Sequence, residues 1–132
     1  MLALVIISYF FKEYYQNFKF FYFLISIVGH VFPIWLTFKG GKGVACFFGG
    51  FLIISPIPTL ISMAVWMVTV KITKISSLGA LLSIFLLTSY QIVSNYGTLN
   101  KGTIFAIMLL IFWKHNENIK RLIQGKENKI NL

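Results

Sequence analysis

Five uncharged and largely apolar runs, separated by short polar segments, form the main pattern of this chain. They are residues 1–11, 20–38, 44–70, 78–93 and 102–113. A helix rises about 1.5 Å per residue and needs about 20 residues to cross the hydrocarbon of a bilayer. The runs 20–38 and 44–70 are long enough to span, whereas 78–93 and 102–113 need their flanking residues. The run 1–11 is too short to span a membrane, and we expect it to be part of a helix.

The run 44–70 is interrupted by Ser55, Pro56, Ile57 and Pro58. Each proline removes a backbone donor and disfavours the helical conformation of the residue before it. The run therefore predicts either one kinked span or a hairpin of two short helices. The distribution of charge does not decide, because both arrangements place nine basic residues on one side of the membrane and three on the other. The two prolines favour the hairpin.

The chain becomes polar after the last apolar run. Lys114–Gln124 predicts an amphipathic helix because its apolar residues recur on one face, and Gly125 is suited to end that helix. Residues 126–132 are polar and are expected to fray. We therefore expect one membrane domain over 1–132, with residues 114–132 as a cytoplasmic tail.

Composition supports a membrane protein. Of the 132 residues, 58% are hydrophobic and only 11% are charged, against about 25% charged in a soluble domain. The net charge of +9 does not indicate a nucleic-acid partner, because the basic residues lie in short gaps between the apolar runs. Cys46 is the only cysteine, so no internal disulfide can form. We predict an all-α, polytopic helical bundle with short, partly broken transmembrane helices and a C-terminal amphipathic helix.

A glycine-rich basic loop after the run 20–38 carries the strongest chemical signal. It consists of Lys39, Gly40, Gly41, Lys42 and Gly43. Glycines allow close approach of the backbone to a ligand, and consecutive N–H groups can form a nest for an anion. The positive end of a helix beginning near Val44 would point at the same place. The loop predicts a phosphate site, and the alternative is an ordinary basic turn that anchors a span.

Other polar groups are open to two interpretations. His30 lies in an apolar run just before Pro33, where it could satisfy carbonyl groups freed by the proline. Ser77 follows a basic loop and could either bind a ligand or cap the next helix. His115, Asn118 and their neighbours Lys114 and Arg121 form a donor-rich stripe, which could bind a phosphate or be a solvated helix face.

Acidic residues are scarce. Glu13, Glu117 and Glu127 are the only carboxylate side chains, so the sequence predicts neither a metal site nor a pair of catalytic carboxylates. A reaction at the basic loop would need a substrate that is already activated. The protein would then supply positioning and cationic stabilisation.

Three segments together resemble a known family. Residues 29–33 followed by 38–45, then 73–78, and then 114–122 with Gly125 and Glu127 are similar to the conserved motifs of the bacterial acyl-phosphate-dependent glycerol-3-phosphate acyltransferases, the PlsY family. The segments occur in the family's order.

This resemblance implies transfer of an acyl chain from an acyl phosphate to the 1-hydroxyl of glycerol 3-phosphate. The products would be lysophosphatidic acid and phosphate. No cofactor is expected, and the partners would be the two substrates and membrane lipids. The implied location is the bacterial cytoplasmic (inner) membrane, with the active face and the C-terminus on the cytoplasmic side.

The resemblance also implies roles for individual residues. Catalytic roles are expected for Lys42, Ser77 and His115, and binding of substrate phosphate is expected for Lys39, Gly40, Gly41, Gly43 and Asn118. The hydroxyl proton would pass either to a substrate phosphate or to His115.

The chain departs from the family pattern at three places. Cys46 stands where the family has threonine, Ala80 stands where it has a second serine, and the family's first motif, a Gly/Ser/Asn-rich loop, is not found in these residues. The alternative expectation is therefore a catalytically inactive, N-terminally truncated form that binds anions or interacts within the membrane.

Overall fold

The computed structural model describes residues 12–38, 40–94 and 97–130, with side chains described from Phe18 onward. All regular structure in these residues is helical, which confirms the all-α prediction. The helices are α1 (Lys12–Val31), α2 (Val44–Ile54), α3 (Pro56–Thr73), α4 (Ser76–Val93), α5 (Thr98–Lys114) and α6 (Asn116–Ile123), with a 3-10 turn at Ile34–Leu36. The partial helix expected at 1–11 lies outside the described residues.

Proline determines where α1 ends. The helix stops at Val31, two residues before Pro33, because the proline ring disfavours a helical residue before it. The 3-10 turn follows, and then Thr37 and Phe38 adopt positive φ angles of 50° and 61°. The run 20–38 is therefore not one helix: its helix begins earlier, at Lys12, and the run ends in a turn.

The chain reverses direction at Ser55. Pro56 is the first residue of α3, where its missing N–H costs no helical hydrogen bond. Thr59 Oγ1 donates to the Ser55 carbonyl oxygen at 2.6 Å. The rings of Phe48 and Trp66 lie 6.5 Å apart, so α3 runs back along α2. The two helices form a hairpin of unequal arms, with 11 residues in α2 and 18 in α3.

Three helical segments of the described chain are long and apolar enough to cross a membrane. They are Phe18–Leu36, Pro56–Thr73 and Ser76–Val93. The helix α2 is also apolar but is shorter. The helices that contain the two short apolar runs are longer than the runs themselves. The helix α4 extends the run 78–93 back to Ser76, and α5 extends the run 102–113 to 17 residues.

Aromatic side chains of α1 and α2 form the centre of the bundle. Phe23 meets Phe51 edge to face, with 5.1 Å between the ring centroids, and both are fully buried. Gly50 permits this approach, because a β-carbon there would overlap the Phe23 ring. The helices α3 and α4 form a second pair, in which Ser62 Oγ donates to the Ser83 carbonyl oxygen at 2.7 Å.

Replacing Gly50 by alanine should destabilise the bundle, because the buried Phe23 ring must move; overpacking of this kind costs about 1–3 kcal/mol. Gly102→Ala is the matched control, because this helical glycine has open space around it and alanine favours the helix. Reaction of the single cysteine with a thiol reagent during heating in detergent measures unfolding. Equal midpoints for Gly50→Ala and the parent would contradict the close packing.

Candidate functional site

The glycine-rich loop folds back onto the end of α1. A β-carbon at Gly40 would overlap the carbonyl oxygens of His30 and Val31, and one at Gly41 would lie 3.0 Å from His30 Nε2. Gly43 has a φ of 84° and directly precedes α2, a conformation that glycine adopts without strain. Close approach and backbone conformation therefore explain why glycine occupies these positions.

Lys42 connects this loop to the C-terminal part of the chain. Its Nζ donates a hydrogen bond of 2.6 Å to Asn118 Oδ1, which lies on α6. The loop and α6 are far apart in sequence, so neither segment alone predicts this contact.

Glu127 is the centre of the hydrogen-bonding network. Ser77 Oγ and Asn118 Nδ2 donate to its Oε1 at 2.7 and 2.5 Å, and Arg121 Nε donates to its Oε2 at 2.7 Å. The Glu127 side chain is only 6% exposed. The expectation that residues 126–132 fray is wrong for 126–130, because this carboxylate anchors them against α4 and α6.

The environment keeps Glu127 ionised. Burial raises the pKa of its carboxyl, but hydrogen bonds from Asn118, Arg121 and Ser77 and the charge of Arg121 more than offset this effect. They lower the pKa to about 2. A buried carboxylate with three donors is the arrangement that makes a buried charge tolerable.

His115 is buried between α5 and α6. Its Nδ1 lies 2.8 Å from the Ile111 carbonyl oxygen, and since a carbonyl oxygen can only accept, Nδ1 carries the hydrogen. Burial lowers the pKa of the ring, the Ile111 bond raises it and the charge of Lys42 lowers it, with a net downward shift. In the neutral ring, Nε2 is then an unprotonated acceptor.

These groups line one polar cavity of about 280 Å³. Its walls are Lys42, Val44, Trp66, Ser76, Ser77, Ala80, His115, Asn118, Glu127 and Asn128. The cavity therefore brings together four of the predicted site residues, from the loop, the start of α4 and the α5–α6 junction: Lys42, Ser77, His115 and Asn118.

The other predicted residues lie differently. Gly40, Gly41 and Gly43 do not line this cavity but shape the loop that carries Lys42. Lys39 lies outside the described residues. Their part in binding phosphate stays a prediction.

The donor-rich stripe of Lys114, His115, Asn118 and Arg121 does not act as one surface, because its members have different contacts. Lys114 Nζ lies over the rings of Phe32 and Trp113, at 5.1 and 5.9 Å from their centroids. Arg121 is held by Glu127. His115 and Asn118 are thus the members of the stripe that line the cavity.

Six of the wall residues were not predicted as site residues: Val44, Trp66, Ser76, Ala80, Glu127 and Asn128. Glu127 could have been suspected, because a lone acid beside several cations and amides is a natural hydrogen-bond acceptor. Trp66 gives no comparable sequence signal, since it is one more apolar residue in a long apolar run.

A family model described as glycerol-3-phosphate acyltransferase matches residues 1–125. The chain belongs to the glycerol-3-phosphate acyltransferase family. A family member from Ruthia magnifica is 44% identical over 108 residues, which are 82% of this chain and 55% of the relative. One from Ehrlichia chaffeensis is 38% identical over 118 residues, 89% of this chain and 60% of the relative. The chain thus spans little more than half the length of these relatives.

Solved structures of the family agree with the fold. The glycerol 3-phosphate form of PlsY (YgiH), an integral membrane glycerol 3-phosphate acyltransferase, superposes with a TM-score of 0.85 at 30% identity, covering 98% of this chain and 64% of that protein. Its lysophosphatidic acid form gives 0.76 at 32% identity, covering 82% and 55%. The resemblance to the PlsY family is confirmed, and the chain is an integral, multi-pass helical membrane protein.

Acid should release the tail of this family member. The Glu127 carboxylate stabilises the docked tail fully above its ordinary pKa of 4.5, and the contribution is lost as the pH falls to about 2. A spin label attached at Lys129→Cys, in a Cys46→Ser background, should become more mobile across this range.

Glu127→Gln is the control for that titration. It removes the titrating carboxyl and should show no step between pH 4.5 and 2. The same step in this variant would mean that another group controls the docking of the tail.

Proposed function

We propose that this chain transfers an acyl group from an acyl phosphate to the 1-hydroxyl of glycerol 3-phosphate, giving lysophosphatidic acid and inorganic phosphate. The observation that carries the proposal is the polar cavity in which Lys42, Ser77, His115 and Asn118 meet. Both substrates carry phosphate, and the cavity combines a cation with polar hydrogen-bonding groups. The forms in which the related PlsY was solved, with glycerol 3-phosphate and with lysophosphatidic acid, support the same acceptor substrate and the same product.

The chemistry needs little from the protein beyond position and charge. The hydroxyl oxygen attacks the acyl carbon, a new C–O ester bond forms, and the anhydride C–O bond breaks with its electron pair leaving on phosphate. The hydroxyl proton passes either to a substrate phosphate or to His115. Lys42 would stabilise the negative charge on that leaving phosphate. Lys39 and the N–H groups of Gly40, Gly41 and Gly43 would extend the phosphate site.

Ser77 would contact the acceptor alcohol. Its hydroxyl hydrogen is used in the bond to Glu127, so its oxygen offers lone pairs to a ligand. Lone pairs attract a hydroxyl group and repel a phosphate oxygen. We therefore assign Ser77 to the glycerol hydroxyl, and Asn118 to a substrate phosphate together with Lys42.

The proposed location is the bacterial cytoplasmic membrane, with the cavity on the cytoplasmic side. The cavity lies at the end of the bundle that carries Lys42, Lys71, Lys74 and the basic tail. Basic residues favour the cytoplasmic side of a membrane.

Lys42→Ala should lower acyl transfer roughly 100-fold or more, because removing one donor that stabilises developing charge typically has this effect. The assay follows lysophosphatidic acid formed from palmitoyl phosphate and labelled glycerol 3-phosphate by protein reconstituted in lipid. Lys101→Ala, at the opposite end of the bundle, is the matched loss of a cation and should retain the parent's rate. Parent protein that is folded and inserted but forms no product would contradict the proposal and favour the inactive, anion-binding alternative.

The pH dependence of the reaction should reflect a neutral His115. Because its pKa is lowered, kcat/KM should stay level as the pH rises through 6.5 and should fall only at lower pH. If the decrease in kcat/KM at low pH (the acid limb of the profile) is absent in His115→Gln, Nε2 is the proton acceptor. A limb that persists near the second pKa of a phosphate monoester, about 6, would identify a substrate phosphate.

A decrease in kcat/KM as the pH rises through 6.5 would contradict this expectation. It would mean that the protonated imidazole is the working form. Circular dichroism of His115→Gln and of the parent over the same range controls for unfolding.

A further inference from the structure

An apolar cavity lies directly against the polar cavity. It has a volume of about 510 Å³ and is lined by Trp66, Met67, Val70, Lys71, Ser76 and Ile130. Trp66 and Ser76 line both cavities. The volume is within the range of pockets that hold small ligands.

Another apolar cavity, of about 460 Å³, lies between α3 and α4. Its lining includes Ile57, Ile61, Leu86 and Tyr90, and none of its lining residues also lines the polar cavity. An acyl phosphate carries its charged group directly on its apolar chain, so its binding site needs a polar and an apolar cavity with a common wall. The cavity beside Ile130 meets this requirement.

One wall of that cavity comes from the tail. The Ile130 N–H donates to the Lys74 carbonyl oxygen at 2.8 Å. Lys74 follows the last residue of α3 and has a φ of 60°, so the helix has ended at this point. Three residues earlier, Glu127 binds Ser77 in the polar cavity. Residues 126–130, which we call the strap, therefore run from the polar cavity to the apolar one.

We propose that Ile130 is a specificity-determining residue, which covers the acyl chain of the substrate and of the product in the cavity bounded by Trp66, Met67 and Val70. The strap then has two tasks, since Glu127 holds the hydrogen bonds of the polar cavity and Ile130, which is 37% exposed, forms part of the wall of the apolar one. This inference rests on the proposed function for the identity of the ligand.

Photocrosslinking tests where the chain lies without requiring turnover. The probe is lysophosphatidic acid with a diazirine in the middle of a palmitoyl chain, applied to the full protein in lipid nanodiscs. We expect labelling of the peptides that contain Met67, Val70 and Ile130. Labelling confined to Ile57, Ile61 and Leu86, or no labelling that unlabelled lysophosphatidic acid displaces, would overturn the inference, whatever the enzymatic activity of the protein.

Kinetics test the role of the side chain. Ile130→Ala should raise the KM for palmitoyl phosphate about tenfold, because the chain loses an apolar cover. The KM for glycerol 3-phosphate and the turnover of butyryl phosphate, whose short chain fills little of the apolar cavity, should change little. Ile130→Leu should restore most of the loss, and Ile123→Ala, which removes the same side chain from an 82% exposed position on α6, should resemble the parent.

The two experiments separate the failure of this inference from the failure of the proposed function. Crosslinking at Ile130 in a protein without acyl transfer would support the chain site and contradict the activity. Equal losses for palmitoyl and butyryl phosphate in Ile130→Ala would overturn the inference, because the strap would then affect the polar site and not the chain.

Discussion

The buried carboxylate of Glu127 is the interaction on which the rest of the site depends. A charge removed from water is stable only when donors replace its hydration, and Glu127 takes them from Ser77, Asn118 and Arg121. Asn118 in turn accepts from Lys42. One acid therefore fixes the positions of α4, α6 and the glycine-rich loop relative to one another. The apolar bundle supplies the scaffold, but this acid connects the polar ends of its helices.

The periodic and compositional features of the sequence predicted most of the scaffold. Apolar runs located the helices, and Pro56 located the reversal between α2 and α3, because proline is excluded from helix interiors but suits a first turn. The end of α1 at Val31 was harder to predict from the apolar pattern, because the run 20–38 stays apolar beyond that residue. Pro33 was the available signal for that end.

The site was predictable in part, for a physical reason. The residue types at Lys42, Ser77, His115 and Asn118 indicate phosphate chemistry, and the resemblance to the family assigned all four to one site. Their hydrogen bonds could not be predicted, because the partners are separated by tens of residues and no local periodicity encodes such contacts. Glu127 shows the difficulty: in sequence it belongs to a polar tail, and its environment comes entirely from segments that fold onto it. The glycines illustrate the converse, since close packing against the end of α1 accounts for Gly40 without any ligand.

The depth of the polar cavity follows from the position of Trp66. This residue lies about two turns before the end of α3 at Thr73, which is about 10 Å along the helix axis. The wall of the polar cavity therefore includes a residue that lies well inside α3, together with Ser76 and Ser77 at the beginning of α4. Under the proposed function, a water-soluble alcohol would have to enter this cavity to be acylated, whereas the chain of the product would lie in the apolar cavity beside it. On this proposal, the product would leave sideways into the membrane, without exposing its chain to water.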